Sequence, residues 1–246
     1  MDKMLYISMT GASQNTQALQ AHANNLANVS TSGFKRDFEQ ARSMPMFGDG
    51  LPARAYALTE RPGTDFTAGT LQETGRDLDV AAIGDAWLAV QSADGTEAYV
   101  RTGSLQVDSL GMLRTAAGLP VLGNAGPIAV PPEQKIEIGQ DGTISIRALG
   151  EAPSVMAEVD RLKLVLPDPK QLEKGADGLV RARDGLPFAA DANARVTSGF
   201  TESSNVNAVA EMTAMLSLSR QFELHVKMMR TAEDNSSAVA RIMQLS

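Results

Sequence analysis

The chain has 246 residues, enough for one large domain or two smaller ones. It carries 22 Lys and Arg against 29 Asp and Glu, a net charge of −7, and no cysteine. That balance excludes a basic nucleic-acid footprint, and the missing thiols exclude disulfides, thiol catalysis and thiolate metal sites. Residues 1–36 carry +2 and residues 198–246 carry −1, so an excess of −8 falls on the middle. Near-neutral ends can pack closely against copies of themselves while an acidic exterior keeps the monomer soluble. No stretch approaches the roughly 18 apolar residues of a transmembrane helix, so no direct membrane insertion is expected. Met1-Asp2-Lys3 is hardly basic and Met4 to Met9 is too short for an h-region, so no cleavable secretory signal is expected either.

The first element, residues 1–34, has no Asp, Glu, Lys or Arg from Met4 to Phe34. Leu5, Met9, Ala12, Thr16, Leu19, Ala23 and Leu26 recur at steps of four and three. A period of 3.5 keeps one stripe turned toward a supercoiled partner helix. The spacing predicts a helix over about 3–28, with Gly33 as a left-handed stop. Thr10, Gly11, Asn15, Thr16 and the amides Asn24, Asn25 and Asn28 are weak helix formers. Alone in water such a helix is marginal, so it is expected to be mobile in the monomer and ordered on contact. Periodicity is equally compatible with a helix docked on the protein's own core. Asn24, Asn25 and Asn28 read either as register-fixing amides aimed at a neighbouring helix or as a tolerated polar helix end.

Residues 35–75 read as an irregular connecting segment, broken by Pro45, Pro52, Pro62, Gly48, Gly50, Gly63 and Gly69. Within it Gly48-Asp49-Gly50-Leu51-Pro52-Ala53 imitates G-x-G-x-x-A, but no strand precedes it and Pro52 sits where a helix should open. It reads as a loop. Residues 76–200 take the period of strands: Ile136/Ile138, Ile144/Ile146 and Leu162/Leu164/Leu166 alternate with polar residues, and Trp87 to Val90 is a continuous apolar run. Asp94-Gly95, Asp141-Gly142, Asp177-Gly178 and Asp184-Gly185 supply turns with a glycine for positive φ. This is a β-rich outer domain.

Residues 201–246 end in a long helix starting near Asn207. Ala208, Met212, Met215, Ser219, Phe222, Val226 and Met229 repeat the heptad spacing, and Leu216, Leu218, Leu224, Met228, Val239 and Ile242 lie outside it. A surface helix needs one apolar stripe; more than one predicts several helical neighbours. The fold class is therefore α+β, with long N- and C-terminal helices as a coiled-coil assembly region flanking a mainly antiparallel β domain.

Chemistry is sparse. His22 and His225 have no H-x-x-x-H or carboxylate cluster nearby in sequence, and no nucleophile-elbow, zinc-protease or P-loop motif occurs. Asp77 and Asp79 would share a strand face as a possible acid–base pair, though a solvated edge is the commoner outcome. The Asp-Gly turns lack the further oxygen ligands of a calcium loop. Neither an active site nor a cofactor is expected.

Ala23-Asn24-Asn25-Leu26-Ala27-Asn28-Val29-Ser30-Thr31-Ser32-Gly33-Phe34-Lys35 resembles the signature of bacterial flagellar rod and hook proteins. Ser198-Gly199-Phe200 and Glu202-Ser203-Ser204-Asn205-Val206-Asn207 resemble the stretch that precedes the C-terminal helix in that family. Leu78 to Gly84, Tyr99-Val100-Arg101-Thr102-Gly103, Gly118 to Gly123 and Gly126-Pro127-Ile128 resemble its middle phrases, in the same order. Phe200 replaces the usual Leu, and Val100 stands where Thr is common.

The resemblance implies an axial, helically stacked subunit of the basal-body rod, on its proximal part, exported unfolded through the flagellar type III export apparatus without signal cleavage. Its implied partners are other flagellar rod proteins and copies of itself. Together with the heptad stripes it makes Leu5, Met9, Ala12, Leu19, Ala23, Asn24, Asn25, Leu26, Asn28, Asn205, Met212, Met215, Leu216, Phe222, Val226 and Met229 the expected assembly interface. The terminal helices would pair with each other and with neighbours, gaining order only among fellow subunits. A distal-rod or hook-type member of the same family, a cell-wall hydrolase using Asp77 and Asp79, and an adaptor that caps partner helices are the alternatives.

Overall fold

The computed structural model describes residues 4–45, 55–60, 63–148 and 156–244, apart from the side chains of residues 133, 134 and 148. The chain divides into two compact units. One comprises Met1–Val29, Arg36–Asp65 and Val206–Ser246, the other Ser30–Lys35 and Phe66–Asn205. Among the described residues no helix is long and apolar enough to cross a membrane.

The first unit is a helix pair with a hairpin. Helix α1 spans Met4–Ala27 and helix α2 spans Ala208–Gln244. Helix α1 ends on an amide cap, because Asn28 donates its side-chain Nδ2–H to Asn24 O at 2.9 Å and its backbone N–H to the same oxygen at 3.2 Å. Gly33 is indeed left-handed, at φ 71°, but lies beyond the helix end in the following turn. At the start of α2, Asn207 Oδ1 accepts from the N–H groups of Val209 and Ala210, each at 3.1 Å, the bond pattern of an N-cap. The helices run antiparallel, since Gly11 lies against the His225 ring while His22 meets Glu211. Past Ala232 every α2 residue through Gln244 is exposed.

The segment expected to be irregular contains strand pairing. β1 (Gln40–Pro45) and β2 (Ala55–Glu60) form an antiparallel hairpin in register Gln40↔Glu60 to Pro45↔Ala55. Pro45 is tolerated because it closes the strand at its last residue. Helix α1 fixes the hairpin: the Thr59 N–H donates to Gln14 Oε1 at 2.5 Å, and Thr59 Oγ1 donates to Gln14 O at 3.3 Å. The G-x-G-x-x-A look-alike at 48–53 lies outside the described residues.

The second unit is antiparallel β. Its strands are β3 (Leu71–Glu73), β4 (Asp79–Ile83), β5 (Trp87–Gln91), β6 (Glu97–Val100), β7 (Thr102–Val107), β8 (Leu113–Thr115), β9 (Glu133–Ile138), β10 (Thr143–Ala148), β11 (Ala157–Arg161), β12 (Leu164–Val165), β13 (Leu172–Lys174), β14 (Val180–Ala182), β15 (Arg195–Ser198) and β16 (Phe200–Glu202). They order as β11-β10-β9, β12-β5-β6-β14-β13, β15-β4-β7-β8 and β16-β3. Strand β5 explains the continuous apolar run, because both of its faces are covered. Leu88 and Val90 enter the main core with Leu105, Leu113, Ile128 and Ile144, while Trp87 and Ala89 enter a second core with Tyr99, Val165 and Leu172. Ile136, Ile138, Ile144 and Ile146 alternate inward as their period predicts. Leu162 and Leu164 do too, but Leu166 is exposed because β12 stops at Val165, just before Pro167. Turn glycines 95, 142, 178 and 185 all take positive φ, from 74° to 86°.

Candidate assembly surface and the buried clusters behind it

Pairing of α1 with α2 uses a stripe of small and polar residues. Ser8, Gly11, Ala12, Ala18, Ala21 and Asn25 are the buried positions of α1, and Glu211 and Ala232 those of α2. Small residues let helix axes approach closely. A Cβ on Gly11 would collide with the His225 ring, so a larger residue there requires the ring to move. This stripe lies one residue before the heptad of larger apolar residues, about 100° around the helix. The larger residues are therefore left over: Leu5 is 41% exposed, Met9 54%, Met212 51% and Leu216 63%. Thr16, Ala23, Asn24 and Phe222 are also exposed, whereas Leu19, Leu26, Asn28, Met215, Val226 and Met229 are half-buried.

Three expected interface residues serve their own chain instead. Ala12 is buried in the subunit. Asn25, 1% exposed, brackets the backbone of Asp37: its Nδ2 donates to Asp37 O and its Oδ1 accepts from Asp37 N–H, both at 3.0 Å. The amide thus copies a strand neighbour and ties the returning chain to α1. Asn205, in the β unit, donates to Thr67 O at 3.2 Å, while its N–H reaches Phe34 O at 3.4 Å. Asn25 and Asn205 thus each satisfy a backbone group of their own chain. The terminal helices are likewise not without a home, because they cover part of each other.

Sequence reading found no partner for His22, yet the fold supplies two. His22 Nδ1 lies 2.5 Å from Glu211 Oε2, and His22 Nε2 lies 3.0 Å from Glu39 Oε2. Arg36 Nε stands 3.8 Å from the other oxygen of Glu211. Glu211 is 189 residues from His22 in sequence, which is why spacing could not reveal it.

The β unit holds a denser cluster. Lys35 Nζ donates to Glu202 Oε1 at 2.6 Å and to Thr67 O at 2.7 Å. Arg101 Nε donates to Glu202 Oε2 at 2.9 Å, and its terminal nitrogens reach Ala86 O and Ala82 O. Both cations lie near the Trp87 ring, at 6.0 and 5.4 Å from its centroid. The side chains of Lys35, Arg101 and Glu202 are at most 2% exposed. Buried charges persist only when paired and hydrogen-bonded, and here three carbonyls absorb the surplus donors. Lys35 closes the N-terminal signature, Arg101 sits in a middle phrase and Glu202 opens the C-terminal one. Three separate motifs therefore meet in a single ion cluster.

Asp77 and Asp79 do not form a pair. Asp77 is exposed in a turn, while Asp79 is buried at the start of β4. The hydrolase alternative loses its acid and base. Three turn carboxylates elsewhere in the β unit are perturbed. Hydrogen bonds from Thr96 hold the Asp94 carboxyl below its ordinary range, those from Thr143 do the same for Asp141, and the Arg181 guanidinium does so for Asp177. Burial pushes the Tyr99 phenol up; its hydroxyl donates to Glu97 Oε1 at 2.9 Å and accepts from Phe188 N–H at 2.8 Å.

An N-terminal signature that ends one long helix and a C-terminal phrase that leads into another, with a β unit inserted between them, mark an axial flagellar subunit. Residues 5–35 match the profile described as flagella basal body rod protein, 81–146 the flagellar hook protein FlgE/F/G D1 domain, and 197–242 the flagellar basal body rod FlgEFG protein C-terminal. The chain belongs to the flagellar basal-body rod protein family. It is 43% identical to the flagellar basal-body rod protein FlgF of Escherichia coli (strain K12) and 40% identical to FlgF of Salmonella typhimurium, covering all of each chain. FlgG of Buchnera aphidicola is 31% identical over 93% of this chain and 95% of its own. The protein is a structural subunit of the flagellum, located in the basal-body rod.

Proposed function

We propose that this rod subunit joins copies of itself and other axial proteins through the apolar stripes of α1 and α2 that its own helix pairing leaves uncovered, and passes torque along the rod through those contacts. The supporting observation is the offset between the two stripes of α1. Small residues are consumed within the subunit, and the larger Leu5 and Met9 of α1 remain in water, as do Met212, Leu216 and Phe222 of α2. Each Leu or Met fully covered by a neighbour contributes about 1.5–3 kcal/mol, so a few such contacts offset the freedom lost on joining. Leu19, Ala23, Asn24, Leu26 and Asn28 border the same surface, and Met215, Val226 and Met229 contribute what their own packing leaves free. Residence on the proximal rod and export in unfolded form through the flagellar type III apparatus belong to this reading. So does a non-enzymatic role, in keeping with the rod relatives.

Leu216→Asp and Met9→Asp test it. Each purified variant should keep the helical content and melting temperature of the parent, because the substituted side chain is already in water. Basal bodies isolated from cells carrying either variant should lack the chain, and the cells should not swim, since a charge desolvated in a helix seam is strongly disfavoured. Normal swimming by the Leu216→Asp strain would sink the reading.

A further inference from the structure

The chain passes between its two units after Val29, Lys35, Asp65 and Asn205. All four passages lie within a few residues of the ion cluster, which itself belongs wholly to the β unit. The Gly33 N–H, just after the first, donates to Glu202 O at 2.8 Å. Lys35 is the last residue before the second. Thr67 O, just after the third, accepts from Lys35 Nζ at 2.7 Å and from Asn205 Nδ2 at 3.2 Å. Asn205 is the last residue before the fourth, three positions after Glu202 in sequence.

We propose that Glu202 is a positioning residue that fastens segments 30–35, 66–70 and 202–205 of the β unit at one point, as a clamp that opens or holds as a whole. Its Oε1 holds Lys35 Nζ at 2.6 Å and the Gly69 N–H at 2.9 Å, its Oε2 holds Arg101 Nε at 2.9 Å, and its carbonyl holds Gly33. One residue thus binds the 30–35 segment, the 66–70 segment and strand β7's leading edge at the same time. The chemistry makes release collective. With the carboxylate withdrawn, a buried ammonium and a buried guanidinium would both lose the carboxylate they share beside Trp87, a state the apolar interior disfavours strongly. Lys35 is then driven toward water, and with it goes one of the two donors to Thr67 O. Fraying of any one segment is resisted by the other two, unlike the independent opening of ordinary surface connections.

Amide hydrogen exchange on the full chain tests this, comparing the parent with Glu202→Gln, which keeps shape but removes the charge. Exchange should accelerate together, at least tenfold, in peptides covering 30–37, 64–70 and 200–206, while 87–91 and 103–107 keep parental protection. Acceleration confined to 200–206, or none, would overturn the clamp. Should Glu202→Gln fail to fold, Lys35→Met, which leaves the Arg101–Glu202 pair in place, is read in the same way. Faster exchange in all three segments supports the clamp; a change confined to 30–37 overturns it.

Discussion

The β-rich unit buries Leu88, Leu105, Leu113, Ile128 and Ile144 almost completely, whereas the helical unit buries Ser8, Gly11, Ala18, Ala21 and Asn25 and leaves Leu5, Met9, Met212 and Leu216 in water. A buried Leu contributes about 1.5–3 kcal/mol, far more than the lone methyl of an alanine. The β unit is therefore stabilised by its own apolar interior. The helical unit is specified by close approach and by placed polar contacts, Asn25 on Asp37 and His22 between Glu39 and Glu211. It keeps its larger apolar groups uncommitted. That division suits the assembly proposed above.

Same-chemistry substitutions in the two units sharpen the contrast. The largest expected effect is Leu105→Ala, which opens a cavity in the β core and should lower unfolding free energy by about 2–5 kcal/mol in urea titration. A loss near zero would mean that the core is not the stabilising element. Asn25→Ala strands the buried N–H and C=O of Asp37 and should lower the stability of the helical unit by about 2–3 kcal/mol. Far-ultraviolet melting of α1 and α2 reads this, with β-unit tryptophan fluorescence unchanged. Gly11→Ala is a contest of two effects: helix propensity favours alanine by about 1 kcal/mol, and the collision with His225 disfavours it by about 1–3 kcal/mol. Net destabilisation by about 1 kcal/mol is expected; a raised helical melting point would show that the pair is not closely packed.

Acid should act on the β unit through its turn carboxylates. Asp177, held low first by the Arg181 hydrogen bond, contributes stability above the unfolded-chain value near pH ~3.9 and loses it as pH falls through its lower folded value. Asp177→Asn should shrink the drop in unfolding free energy between pH 5 and pH 3, read by urea titration, by at most about 1 kcal/mol, the ordinary worth of an exposed pair. An unchanged acid slope would remove Asp177 from the account. Smallest of all, Leu216→Ala should shift the stability of the isolated chain by no more than about 0.5 kcal/mol, as surface changes do. A loss comparable to that of Leu105→Ala would mean that Leu216 is already covered.

Much of this architecture was legible in the sequence because local signals carry it. Heptad spacing placed α1 within a residue or two of its limits, Asn207 announced the start of α2, and Asp-Gly pairs marked turns whose glycines take positive φ. Three features were not legible, each for a physical reason. The β1–β2 hairpin hides among prolines and glycines because a bond to Gln14 of α1, rather than its own propensity, supports it. The pairing stripe of α1 was misplaced by one residue, since Ser8, Gly11 and Asn25 carry no apolar signal. The ion cluster joins Lys35 to Glu202 across 167 residues, a separation no motif spacing encodes. The signature phrases marked its three members without disclosing that they touch.

One consequence follows from unequal helix lengths. Helix α2 has 37 residues and α1 has 24, and the Gly11–His225 register carried along both brings Met4 level with Ala232. Among the described residues, 233–244 of α2 therefore extend past the start of α1 by about 18 Å of helix. So short a helix is marginal in water, and Val239 and Ile242 on it are exposed. In the assembly proposed above, those two side chains add a further apolar surface for a neighbouring copy to cover.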